Sequence, residues 1–301
     1  MRSESTLANK IKAGEFIVTA ELLPRASADG KTVEESTGFF DSRLTAVNVA
    51  DNPHGPVMSS LAASVILSRA GREPIYQVVT RDRNRIALQS DLLGAAALGI
   101  RNILCLSGHH QALTDSRESA NVYDIDSIQL VAAVRKMCAD GILLDGTRLQ
   151  GEFSALVGAV VSPDMKPMEL NLIRLAKKVE AGARFIQTQA VFDLEQFDQW
   201  LSAARDLGIT RQTAILAGVF PISSAEEAEH LRAKYMDLSI PDSVIARLKA
   251  AGDEAAQKKE GLSICVETIQ KIKTADGVRG IHLLSGGREN RVPEIMAAAG
   301  L

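Results

Sequence analysis

Phe16-Ile17-Val18-Thr19-Ala20-Glu21 is the stretch that decides the fold. Its residues are apolar or β-branched on both faces, and it ends abruptly in a carboxylate. A strand that is apolar on both sides belongs to a parallel sheet covered on both sides. The same short pattern recurs along the chain at Ala46–Ala50, Ile75–Thr80, Asn102–Ser107 and Ala155–Val161, then at Arg184–Gln189, Ala214–Phe220 and Gly280–Leu284. With the first stretch these make eight candidate strands.

The segments between them carry apolar residues at helical spacing. Helices are predicted over Ser59–Ala70, Arg83–Leu98, Ser127–Cys138 and Met168–Ala181. Four more are predicted over Leu194–Leu207, Ser224–Tyr235, Asp242–Ala250 and Glu254–Lys273. Gly71, Gly99, Gly182 and Gly208 each follow the last apolar residue of a helix, where a chain leaving a helix favours a left-handed residue. Ser223 or Ser224, ahead of Glu226 and Glu227, has the pattern of a helix N-cap. Strands and helices alternating eight times in 301 residues predict a (β/α)₈ TIM barrel, a fold of roughly 250 residues. No linker-like composition interrupts it, so residues 1–301 read as one domain. An open doubly wound sheet is the alternative, but no G-x-G-x-x-G turn follows any strand.

Composition narrows the function. With 34 Lys and Arg against 37 Asp and Glu, the net charge is −3, which gives no reason to expect nucleic acid or an anionic membrane as partner. Met1 to Thr6 lead into an amphipathic segment rather than a signal core, and no apolar run approaches the roughly 20 residues of a membrane span. Cys105, Cys138 and Cys265 lie far apart in apolar contexts and read as reduced packing residues. A cytoplasmic protein is expected.

Catalytic groups of such barrels come from the C-terminal strand ends and the loops after them. Those positions hold Glu21, Asp51-Asn52, Thr80-Arg81-Asp82, Ser107-Gly108-His109-His110, Ser162-Pro163-Asp164, Gln187, Gln189, Phe220 and Ser285-Gly286-Gly287-Arg288. His109-His110 lacks a third metal ligand at recognisable spacing, so no metal site is expected. No G-x-S-x-G elbow is present, and Cys105 has no evident base. What remains suits a flat polar heterocycle: Gln189 and Gln77 supply amides, Phe220 a stacking face and Glu21 a proton. Plainer roles stay open. Glu21 would also serve as a strand-end cap and Phe220 as barrel core. Ser285-Gly286-Gly287 reads equally as a phosphate nest or a turn, and Arg81-Asp82-Arg83-Asn84-Arg85 as a partly solvated helix start. His109 to Asp126 reads as a loop over the barrel mouth.

Six segments carry a resemblance: Thr19–Arg25, Val47–Asn52, Thr80–Arg85, Gln89–Gly94, Phe185–Asp193 and Leu216–Pro221. Together, in this order, they resemble the methylenetetrahydrofolate reductase family, in its short bacterial form with the catalytic barrel alone. The resemblance implies a flavoenzyme of one-carbon metabolism and methionine biosynthesis. Such an enzyme passes hydride from reduced FAD to 5,10-methylenetetrahydrofolate, giving 5-methyltetrahydrofolate. It implies Glu21 as general acid/base, Gln189 as the pterin-binding glutamine and Phe220 as the aromatic packing on folate or nicotinamide, with His109 and Arg288 also on the substrate. Ala50, Gln77, Leu106, Ser107, Gly108, His109, Ser162, Lys166, Asn171 and Lys178 fall on the cofactor side. NAD(P)H as electron donor, a redox partner protein and a homo-oligomer are further implications.

The departures from the family also cluster on the flavin side. The family's Asp after the fourth strand, which lies beside flavin and pterin, is His109 here. Its strand-3 histidine is Gln77 and its threonine after strand 2 is Ala50. The tyrosine and histidine of the strand-5 loop are Ser162 and Lys166. A carboxylate accepts two hydrogen bonds from an aminopyrimidine where a neutral imidazole accepts one. Two alternatives follow: a folate-binding barrel subunit without tight flavin, methyltransferase-like or accessory, or a flavin-independent NAD(P)H-dependent reductase.

Overall fold

The computed structural model describes residues 5–301, and the reading of Met1 to Glu4 lies outside them. Eight parallel strands close into a barrel in chain order. They are β1 (Ile17–Leu22), β2 (Ala46–Val49), β3 (Pro74–Val79), β4 (Asn102–Leu106), β5 (Leu156–Val161), β6 (Phe185–Ala190), β7 (Ala214–Val219) and β8 (Val278–Leu283). Closure is direct: Ala20 of β1 pairs with Val47 of β2 on one side and Leu283 of β8 on the other.

The first helices are α1 (Thr6–Ala13), α2 (Lys31–Thr37), α3 (Ser60–Arg69), α4 (Arg85–Ala97) and α5 (Ser127–Asp140). They are followed by α6 (Met168–Ala181), α7 (Leu194–Asp206), α8 (Ala225–Lys234), α9 (Asp242–Ala251), α10 (Glu254–Lys273) and α11 (Val292–Ala299). The anticipated stops are present, since Gly71, Gly99, Gly182 and Gly208 all have positive φ. Ser224 is the N-cap of α8, its side chain accepting from Glu227 N at 3.0 Å. α1, read only as an amphipathic segment, and α2 and α11 were not among the predicted helices; they are short, of eight, seven and eight residues.

Side chains fill the barrel in layers. At the bottom Ile17, Ala46, Ile75, Leu104, Phe185 and Leu216 form an apolar plug, which Leu7 of α1 joins. Glu73 holds α1 in place by accepting from Leu7 N at 2.9 Å, so a carboxylate meets the unpaired amides of that helix start. The polar members of the interior hydrogen-bond to one another. Asn48 and Gln187 exchange amide hydrogen bonds at 2.7 and 3.0 Å. Gln187 also donates to Thr19 Oγ1 at 3.3 Å, and that oxygen lies 3.0 Å from His282 Nδ1. Buried amides left without partners cost about 1–3 kcal/mol each, whereas removing both members of a pair is far milder.

Asn48→Leu is therefore expected to destabilise the barrel by about 1–3 kcal/mol in urea unfolding, and Asn48→Leu/Gln187→Leu to recover most of that loss. A double variant as unstable as the sum of its singles would show that the pair is not the unit of stability.

Candidate active site

Glu21 shares a strand face with Thr19, two residues earlier, and so points into the barrel. Its Oε2 accepts a hydrogen bond from Gly286 N at 3.3 Å. Gly286 and Gly287, at φ +56° and +79°, form the turn after β8 that presents this amide. Burial pushes the Glu21 carboxyl above its ordinary range; the Gly286 amide opposes the shift, and the charge of nearby Glu289 adds to it. Glu289 is itself 6% exposed, and its Oε1 accepts from Leu23 N at 2.8 Å. The Ser285-Gly286-Gly287 segment is thus a turn whose amide serves the chain's own carboxylate.

A cavity of about 640 Å³ opens beside Glu21 at the C-terminal ends of the strands. Gln77, Gln189 and Phe220 line it together with Glu21. Gln189 owes its position to a bulge, for the β6–β7 register shifts between Gln187 and Ala190. Gly218 makes the bulge possible. A Cβ there would lie 2.4 Å from Thr188 O and 2.7 Å from Gln189 O, while its N–H donates to Thr188 Oγ1 at 2.8 Å. Arg288 does not line the cavity. Its guanidinium lies over the Phe220 ring, 5.0 Å from the centroid, and is held by Glu227 at 3.0 Å and Ser223 at 2.7 Å. It braces the aromatic face.

The residues assigned by resemblance to the cofactor side converge on the same cavity: Ala50, Leu106, Ser107, Gly108, His109, Ser162, Lys166, Asn171 and Lys178 all line it. Their own hydrogen bonds give some of them structural work. Asn171 donates to Ser162 O and accepts from Trp200 Nε1 at 3.0 Å, tying α6 to the end of β5 and to α7. Ser107 Oγ accepts from Ser127 N at 3.3 Å at the start of α5. Lys178 Nζ donates to Val160 O at 2.6 Å, and burial brings its pKa down to about 8. No carboxylate among the described residues forms an ion pair with Lys178, Arg174 or Lys166, which all line this arm of the cavity.

The loop from His109 to Asp126 does not cross the mouth as anticipated; of its residues only His109 lines the cavity. The reason is Arg81, which is 2% exposed; the partly solvated helix start expected of its charged run is found at Asn84 and Arg85. Its guanidinium donates to Asn52 O at 2.7 Å, to His109 O at 3.2 Å and to both oxygens of Asp82. Gln111 Nε2 joins by donating to Asp82 Oδ1 at 2.9 Å, and Val122 N donates to Arg81 O at 2.8 Å. One buried fork thereby pins the loops after β2, β3 and β4. Arg83 is likewise engaged, gripping buried Asp51 through both terminal nitrogens at 2.6 and 3.0 Å.

The segment at the mouth is instead the α8–α9 connection, whose Tyr235, Asp237 and Leu238 line the cavity. Ser162 Oγ donates to Asp237 O, and Ser239 N donates to Asp164 Oδ2 at 2.8 Å. His282, also on the lining, is 3% exposed, and burial brings its pKa down to about 3, so it is a neutral ring. Sequence reading missed Tyr235, Asp237, His282 and Glu289. A histidine two residues before the end of the last strand was a usable signal for His282; the others had none.

Arg81→Lys keeps the charge but loses the fork, and it is expected to speed limited proteolysis within His109–Asp126 severalfold. Cleavage at the unaltered rate would show that the loop is anchored without Arg81.

Residues 6–300 match the model of the family described as Methylenetetrahydrofolate reductase. A probable methylenetetrahydrofolate reductase (NADPH) of Caenorhabditis elegans is 27% identical over 244 residues, covering 81% of this chain and 34% of the relative. The 5,10-methylenetetrahydrofolate reductase of Pectobacterium carotovorum is 25% identical over 226 residues, covering 74% of this chain and 68% of the relative. The chain thus spans about a third of the eukaryotic relative's length and about two thirds of the bacterial one's. In fold it is similar to a Clostridium thermocellum protein that binds two copies of 5-methyl-5,6,7,8-tetrahydrofolic acid. That likeness has a TM-score of 0.68 at 15% identity and covers 98% of each chain. With nearly its whole length matched, the chain belongs to the methylenetetrahydrofolate reductase family.

Proposed function

We propose that this chain interconverts 5,10-methylenetetrahydrofolate and 5-methyltetrahydrofolate. The observation that carries the reading is a carboxyl group, Glu21, raised above its ordinary range beside the cavity. Gln189 supplies the same cavity with an amide that no protein side chain engages among the described residues, and Phe220 with an aromatic face. Reduction of the substrate requires its five-membered imidazolidine ring to open first. The carbon–nitrogen bond breaks, its electron pair goes to the departing N10, and an iminium remains at N5. Glu21 in its acid form protonates N10 and so makes it the better leaving group; in the opposite direction the carboxylate takes that proton back. Gln189 pairs with the pterin's donors and acceptors, and Phe220, braced by Arg288, packs on the flat ring or on the nicotinamide.

FAD fits the arm between β5 and α6. The buried ammonium of Lys178 lines the cavity, as do Lys166 and Arg174, and among the described residues none of the three has a carboxylate ion-pair partner, as a diphosphate requires; Leu106 and Val160 supply apolar wall. The chemistry that FAD supplies when bound is hydride transfer at the iminium carbon. The names of relatives, one given for NADPH and one for NADH, support a nicotinamide as the proposed electron source.

The direct test is anaerobic mixing of the FAD-loaded protein with 5-methyltetrahydrofolate. Bleaching of the yellow colour is expected; bound folate without bleaching would overturn the proposal, and colourless protein that oxidises NADH with methylenetetrahydrofolate would favour a flavin-independent reductase. Glu21→Gln is expected to lower turnover by about 10²–10⁴ while leaving FAD content unchanged. Retained turnover would remove Glu21 from the mechanism.

Glu289→Gln tests the electrostatics. A group that works protonated loses activity as pH rises through its pKa, and Glu289's charge helps to keep that pKa high. The alkaline limb of kcat should therefore move to lower pH in Glu289→Gln. An unmoved limb would mean that another group governs it.

A further inference from the structure

His109 stands where the family carries a carboxylate, yet a carboxylate is present beside it. Asp237 Oδ2 lies 4.0 Å from His109 Nε2, and both residues line the cavity. On its other flank the imidazole meets Tyr235, with ring centroids 5.3 Å apart. The α8–α9 connection that brings Tyr235 and Asp237 here is fastened at Asp237 and at the two residues after it. Ser162 Oγ holds the Asp237 carbonyl, Asp164 accepts from Ser239 N at 2.8 Å, and Leu238 packs into the apolar cluster around α8 and α9. The Asp237 side chain is thus 19% exposed, set by its neighbours and open to the cavity.

We propose that Asp237 is the specificity carboxylate of this site, accepting the paired N–H groups of the ligand's 2-amino-4-oxopyrimidine edge. Only an ionised carboxylate accepts two such hydrogen bonds side by side; the imidazole of His109 accepts one. The carboxylate that the family places on the loop after β4 is here delivered from the other side of the mouth. His109 and Tyr235 act as positioning residues for it. This rests on the folate reading given above.

The test is equilibrium binding to the FAD-loaded protein of 5-methyltetrahydrofolate and of its 2-desamino-2-methyl analogue, which lacks the donor pair's exocyclic amine. Asp237→Asn is expected to weaken binding of the first by about tenfold or more and to weaken the second, which keeps only the ring N–H of the pair, by clearly less. His109→Asp/Asp237→Asn, which returns a carboxylate to the loop after β4, is expected to restore most of the lost affinity. Equal weakening of both ligands would mark Asp237 as merely structural and overturn the inference, as would an Asp237→Asn variant binding both as the wild type does. Failure of the wild-type protein to bind either ligand would instead overturn the folate reading itself.

Discussion

The site depends on one constraint: a half-buried carboxyl group stands at the end of β1 with no cation paired to it among the described residues. Carboxylates buried in that way keep their proton rather than bear the desolvation cost. At Glu21 the hydrogen bonds from Gly286 and Ser285 are too weak to reverse the effect, and Glu289 pushes in the same direction as burial. The layer below adds no positive charge. His282, bonded to Thr19 two residues before Glu21, stays a neutral ring because it is buried. The barrel register supports this arrangement, since pairing of Ala20 with Leu283 sets the β8 turn beside the end of β1.

From that point the cavity divides into two unlike walls. Around Glu21, Gln189 and Phe220 the supports are rigid: a bulge that only Gly218 admits, and an arginine stacked over Phe220. Toward β4, β5 and α6 the wall is basic and apolar, with Lys178 held by a main-chain carbonyl instead of an acid. The connection between α8 and α9 adds Tyr235 and Asp237 to the lining, beside His109 in space although more than a hundred residues from it in sequence.

The barrel was legible because its signals are local. Runs such as Phe16–Glu21 and the glycines after helices state strand and stop within a few residues, and each strand begins or ends within about two residues of its expected bounds. α2 and α11 escaped because seven or eight residues give too few turns for helical periodicity to show. The site was legible only in part, for the opposite reason. Glu21, Gln189 and Phe220 sit at strand ends, where topology alone implies a role. The burial of Arg81 within its partly solvated run gave no signal, because its partners come from three different loops. Asp237 and Tyr235 gave no signal, since what they face depends on where a helix connection lands.

The central claim is that Glu21 carries a proton where an ordinary carboxyl group does not. Infrared spectroscopy just above the pH range in which ordinary carboxyl groups ionise reads it directly, through the carbonyl stretch of a protonated carboxyl group in the wild type compared with Glu21→Gln. The account predicts a band of protonated carboxyl in the wild-type protein that is lost in the variant. Identical spectra in that region, with Glu21 contributing only to the carboxylate bands, would contradict it.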